Sequence, residues 1–148
     1  MRTHWDDFKP VTRASLLDGS YMFEPVRMMR TPDGGVCLCS SMDVPVLKGV
    51  AIVLNEELRP ILGDRCYHIA GMGGDKGAVR DVQAVIDVCK FVFKSDVESY
   101  YSSIDHGILM NQVGLLVDDE RVLYLVHEYL EHLVDEDGEL RLAERGIK

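Results

Sequence analysis

Apolar residues fall along the chain in blocks whose spacing changes from one block to the next. Residues 4–18 mix polar and apolar positions in a pattern that predicts a helix ended near Gly19, although Pro10 works against it. From Tyr21 to Met29, aromatic and aliphatic residues alternate with polar ones, as in a strand. Pro32-Asp33-Gly34-Gly35 is a turn signal, and Val36–Met42 can return as the hairpin partner. Asp43 then stands where an N-cap belongs, with Pro45 in the first turn. Val46, Leu47, Val50, Ala51, Val53, Leu54 and Leu58 follow at helical spacing up to Pro60.

The glycine-rich stretch 71–77 reads as a loop. A further helix places Val79, Val82, Val85, Ile86 and Cys89 on one face. Phe91-Val92-Phe93 reads as a short buried strand running into Asp96. Two amphipathic helices are expected over about 104–117 and 119–133, the second with Val122, Leu123, Val126, Tyr129, Leu130 and Leu133 on one face. Asp137-Gly138 marks a hairpin turn within 134–142. The order is helix, hairpin, helix, loop, helix, strand, helix, helix, hairpin, an α+β arrangement. A single central strand is few for a finished sheet, which usually needs three or more.

Composition narrows the class. The 148 residues are 47% hydrophobic and 28% charged, as in a globular domain. No apolar run is long enough for a transmembrane helix, and the N-terminus lacks the apolar stretch of a signal peptide. The four cysteines form no C-x-x-C pair, so they read as small buried hydrophobes in a reducing compartment, the cytoplasm, ahead of a zinc site. The net charge of -9 argues against a freely basic nucleic-acid face. That acidity is uneven: residues 1–59 carry -1, residues 60–110 carry -2 and residues 111–148 carry -6. The first two thirds are nearly neutral.

The chemistry concentrates in Phe91-Val92-Phe93-Lys94-Ser95-Asp96-Val97-Glu98-Ser99-Tyr100-Tyr101-Ser102-Ser103-Ile104-Asp105-His106. A carboxylate delivered at a strand end can hold a hard cation such as Mg²⁺ together with substrate phosphates. Spacing alone favours an Asp that caps the next turn. The full string, with Lys94, Asp96, Val97, Tyr100, Tyr101, Ile104, Asp105 and His106 at matching positions, resembles motif A of reverse transcriptases, in the bacterial branch near group II intron and retron enzymes. The 21–42 hairpin, the Asp43 helix, the stretch from Tyr67-His68 through Arg80, and Glu144-Arg145-Gly146-Ile147 resemble the flanking parts of that family.

This resemblance covers most of residues 20–148. It implies a partial right-hand polymerase: an N-terminal helical segment over 1–20, then fingers and the start of the palm over 21–148. By the same resemblance Asp96 is a catalytic metal ligand and the Val97 backbone supplies a second oxygen. Tyr101 is the aromatic gate against a ribose 2′-hydroxyl, and Lys76 and Arg80 contact template or phosphate. The implied cofactor is Mg²⁺, and the implied partners are an RNA template and a DNA primer.

Two departures qualify that expectation. The family's aromatic-x-Asp-Asp motif is absent, since Asp118-Asp119 has no aromatic two residues before it and reads as a helix N-cap. The return strand of the fingers hairpin, Val36-Cys37-Leu38-Cys39, has no basic residue to hold a triphosphate, leaving Arg27 and Arg30 as weak substitutes. The expected function is therefore a truncated RNA-directed DNA polymerase domain that is inactive as an isolated chain, completed by a missing C-terminal half or by self-association through the 119–133 helix. The alternative is a non-enzymatic remnant acting as an interaction or RNA-binding module. Other motifs carry less. The glycine loop lacks both common phosphate-cradle patterns, and His127-Glu128 with His132 misses the zinc-helix spacing, so these histidines read as solvated helix positions.

Overall fold

A computed structural model describes residues 5–31, 34–143 and 145–147. The chain divides into two units, one formed by residues 1–50 with 100–148 and the other by 51–99. The elements are α1 (Trp5–Asp18), β1 (Val26–Thr31), β2 (Gly34–Leu38), α2 (Asp43–Leu58), α3 (Gly74–Val85), α4 (Tyr100–Ser103), α5 (His106–Gly114), α6 (Glu120–Leu130), β3 (Leu133–Glu136) and β4 (Glu139–Leu142). The α+β expectation holds at this level.

The first unit contains the sheet, in the order β2-β1-β3-β4. Two antiparallel hairpins are joined through a parallel β1–β3 pair, with Val26 opposite Val134 and Met28 opposite Glu136. Turn chemistry sets the second hairpin: Asp137 and Gly138 both have positive φ (56° and 88°), as a two-residue primed turn requires. The Gly138 amide also donates to the Asp135 carboxylate at 2.8 Å. In the first hairpin, Pro32 and Asp33 lie outside the described residues. The strands are shorter than the alternation suggests: residues 21–25 lie outside the ladder, with Tyr21 and Phe23 turned into the core.

Tyr21, Val46 and Leu125 form that core, with Leu16, Phe23, Val50 and Tyr124 packed around them. Edge-to-face aromatic contacts run from Tyr21 to Phe23 (5.3 Å between centroids) and from Phe23 to Tyr129 (6.0 Å). Helix α6 is started by Asp119, whose carboxylate accepts from the Arg121 amide at 2.9 Å, as the N-cap reading anticipated. It buries Leu125, Val126 and Leu130 along one stripe. Of the apolar face expected over 119–133, Val126 and Leu130 are buried within the unit, whereas Leu133 is 41% exposed.

Two polar residues are buried here, Asp43 and His132. Asp43 opens α2, but its carboxylate accepts from the Tyr21 hydroxyl (2.7 Å) and the Glu24 amide (3.1 Å). It ties the segment before β1 to α2, a tertiary role beyond the expected cap. Burial outweighs these hydrogen bonds and holds the Asp43 carboxyl above its usual range. Burial, followed by the neighbouring carboxylate, likewise raises the Tyr21 hydroxyl. His132 lies beyond the end of α6 and stacks on Tyr129, so the solvated reading fails for it. His127 is half-exposed and reaches Glu131 at 3.4 Å, in keeping with that reading.

The second unit is built differently. No described residue between 51 and 99 is buried. Gly73 (φ 94°) lets the chain reverse into α3, and Tyr67 closes over that helix, packing on Gly77 and hydrogen bonding to Asp81. The predicted apolar face of α3 exists, yet Val79, Val82, Val85 and Ile86 are each about half exposed. The expected strand at Phe91–Phe93 is absent. Residues 91–97 are neither helical nor in a ladder, and Phe91, Val92 and Phe93 are 91%, 81% and 89% exposed. The physical reason is that a strand requires a neighbour for its amides and carbonyls, and no described segment pairs with this one.

Candidate functional site

Asp96 and Val97 follow this unpaired apolar segment, and both are exposed. Without a strand beneath it, the Asp96 carboxylate is not held at a rigid strand end. Among the described residues no group of three or more His, Cys, Asp or Glu side chains is assembled for a metal ion. Mg²⁺ seeks six oxygens and is commonly held by one or two carboxylates plus substrate phosphates. Asp96 and the Val97 carbonyl would contribute only two of these, and the remainder would have to come from water and a triphosphate.

Lys76 and Arg80 lie one turn apart on α3 and therefore share a face. Both are exposed, and neither forms an ion pair with a described residue. Tyr101 belongs to the first unit, in the single turn α4. Its ring is 67% exposed and meets Tyr100 edge to face at 5.3 Å.

The end of the motif is tightly built. Asp105 caps α5, accepting from the Ile108 amide at 3.0 Å. His106 Nε2 lies 2.7 Å from the Gly146 carbonyl. That carbonyl can only accept, so Nε2 carries the proton. The Gly146 amide donates to Ile104 and the Ile147 amide to Tyr101, each at 2.9 Å. The segment around Gly146 is thereby clasped to residues 101–106, carrying the Tyr101 backbone with it. Ile104, Asp105 and His106 hold the local frame and leave Tyr101's ring free toward solvent. Their part was missed from sequence because the clasp joins positions forty residues apart.

The two arginines of the β1–β2 hairpin are engaged elsewhere. Arg30 forms an ion pair with Glu136 at 3.1 Å, and Arg27 lies 3.9 Å from Asp135, both across the β1–β3 pair. An open depression of about 690 Å³ is bordered by Met28, Val134, Glu136, Arg141 and Arg145, and contains none of Lys76, Arg80, Asp96, Val97 and Tyr101. No family model matches the chain, and no curated protein matches its sequence.

Proposed function

We propose that this chain is the fingers and early palm of an RNA-directed DNA polymerase, with Asp96 as one ligand of a two-metal nucleotidyl-transfer centre. One observation carries the reading: the string from Lys94 to His106, in which an aspartate, two tyrosines and Ile-Asp-His stand at motif A spacing. Two features are compatible with it. Asp96 is solvent-facing, open to metal and triphosphate, and Tyr101 is exposed on a turn whose backbone is clasped in place. Lys76 and Arg80 are accessible cations for template or phosphate.

Two-metal transfer needs further carboxylates to clamp the attacking and leaving oxygens. The sequence supplies no aromatic-x-Asp-Asp segment for them. The chain alone therefore does not extend a primer and acts with a separate polypeptide or segment that brings the missing pair. Mn²⁺ bound in the presence of an RNA–DNA primer–template and a deoxynucleoside triphosphate, followed by electron paramagnetic resonance, tests this. Bound Mn²⁺ should fall several-fold in Asp96→Asn, with no primer extension by the chain alone in Mg²⁺. Mn²⁺ binding indifferent to Asp96→Asn would sink the metal-site reading. Primer–template binding without that metal dependence would point to a non-enzymatic RNA-binding remnant. Extension product from the chain alone would overturn the assigned inactivity.

A further inference from the structure

Residues 91–97 are an open strand-forming segment. They are exposed, outside any ladder, and their backbone groups make no backbone hydrogen bond with a described residue. In an extended strand Phe91, Phe93 and Val97 fall on one side with Ser95, and Lys94, Asp96 and Glu98 fall on the other with Val92. We propose that this segment is an interface, and that its partner is the same segment of a second copy of the chain, paired antiparallel about a twofold axis at Ser95.

The charges select both partner and register. With Ser95 opposite Ser95, Lys94 of each copy faces Asp96 of the other, and Phe93 faces Val97. Two ion pairs form on one side and two apolar pairs on the other. Centring on Lys94 or on Asp96 instead sets like charges directly opposite. Shifting the register by one residue puts Phe93 beside a charged neighbour, because side chains alternate with period two. A parallel in-register pair would stack Lys94 on Lys94. The Ser95-centred antiparallel ribbon satisfies the positions from Phe93 to Val97 and leaves Val92 opposite Glu98 at each end.

The twofold arrangement makes the contact isologous and closed, so it yields dimers and not fibres. A two-stranded ribbon of this length is a modest interface, with a Kd on the order of ten to a hundred micromolar. This association does not rest on the metal-ligand reading of Asp96, and the two compete for the same carboxylate.

Sedimentation equilibrium of the full chain, carried to several times that Kd, should show a monomer–dimer equilibrium. Lys94→Asp and Asp96→Lys should each weaken it about ten-fold or more, since each places two like-charged pairs across the axis. The double variant K94D/D96K should recover dimerisation, which a disturbance of folding would not. Ser95→Cys should cross-link copies under mild oxidation, whereas Phe93→Cys, which faces Val97, should cross-link no more than the wild type with its native thiols. A wild type that stays monomeric, single charge reversals without effect, failed recovery in the double variant, or equal cross-linking at positions 93 and 95 would each overturn the proposal.

Discussion

At the scale of single residues, Asp43 shows how a side chain's role escapes a local reading. Its position before an apolar helix is legible as a cap. Its burial is not, because that depends on Tyr21 arriving from a segment twenty-two residues earlier. The energetic consequence has a definite sign. The folded-state pKa of the Asp43 carboxyl is raised. Its stabilising contribution is therefore whole below the unfolded value, near 4, and is lost as pH rises through the raised value. Asp43→Asn cannot ionise, and it keeps an oxygen for one of the two donors while its amide nitrogen takes the place of the other carboxylate oxygen. Its stability relative to the wild type should rise as the pH is taken from about 4 to 7, as read by urea unfolding at each pH. Asp43→Ala should cost about 1–3 kcal/mol, because it leaves the Tyr21 hydroxyl and the Glu24 amide without their acceptor.

His132 was misread for a related reason: a residue just beyond a helix end follows the chain's next turn, and helical periodicity does not describe it. Asp119, by contrast, was readable because its partner, Arg121, stands two residues further along the chain. Its pKa is lowered to about 2, first by the hydrogen bond from the Arg121 side chain. That contribution is present above about pH 4 and is lost as pH falls through 2.

Among the elements, helices and hairpins were the legible part. Their hydrogen bonds are local, and their caps and turn residues stand in the sequence beside them. Asp137-Gly138 announced its hairpin, and α2, α3, α5 and α6 fall where apolar spacing put them, within a few residues at the ends. The strand expected at Phe91–Phe93 failed because β structure is a property of pairs. The triplet has strong strand propensity and no ladder, and propensity alone does not satisfy its backbone. Nor did the sequence disclose the parallel β1–β3 pair, which rests on contacts more than a hundred residues apart.

The clasp between α4–α5 and Gly146 makes a prediction at this scale. Gly146 has φ 82°, and a Cβ there would come within 2.8 Å of the Ser102 Cα and 2.9 Å of the Tyr101 and Ser102 carbonyl oxygens. These are backbone atoms that cannot swing aside. Gly146→Ala should destabilise the protein by about 2 kcal/mol or more, through left-handed strain plus the clash. Gly19→Ala is the matched control, with φ 72° and nothing within 4 Å. It should cost only the conformational part, about 1–2 kcal/mol. Equal losses for the two variants, measured by thermal or urea unfolding, would show that the clasp does not form.

Over the whole molecule, stability is unevenly distributed. The buried residues all belong to the first unit, while 51–99 has none among those described. Opening free energy follows burial and backbone protection. In dilute protein, amides of residues 91–97 should exchange with solvent near their intrinsic rates. Those of Leu125, Val126, Leu130 and Val134 should be slower by several orders of magnitude. Chymotrypsin should cut first at Phe91 and Phe93, leaving the 100–148 segment intact. Early cleavage within α6 or β3 would contradict this ranking. The candidate site is divided in the same way: Lys76, Arg80 and Asp96 belong to the sparsely packed unit, and Tyr101 to the well-packed one.

The parallel pairing of Val26–Met28 with Val134–Glu136 has a consequence for how the protein is made. A ribosome adding roughly 5–20 residues per second needs on the order of five to twenty seconds to travel from one strand to the other. Throughout that interval the β1–β2 hairpin has one edge unsatisfied, and β1 cannot find its mate until residues 134–136 have been joined. Nascent chains will therefore emerge with an adhesive edge exposed, and cells short of chaperones that bind such edges should accumulate this protein in aggregates even where the finished fold is stable.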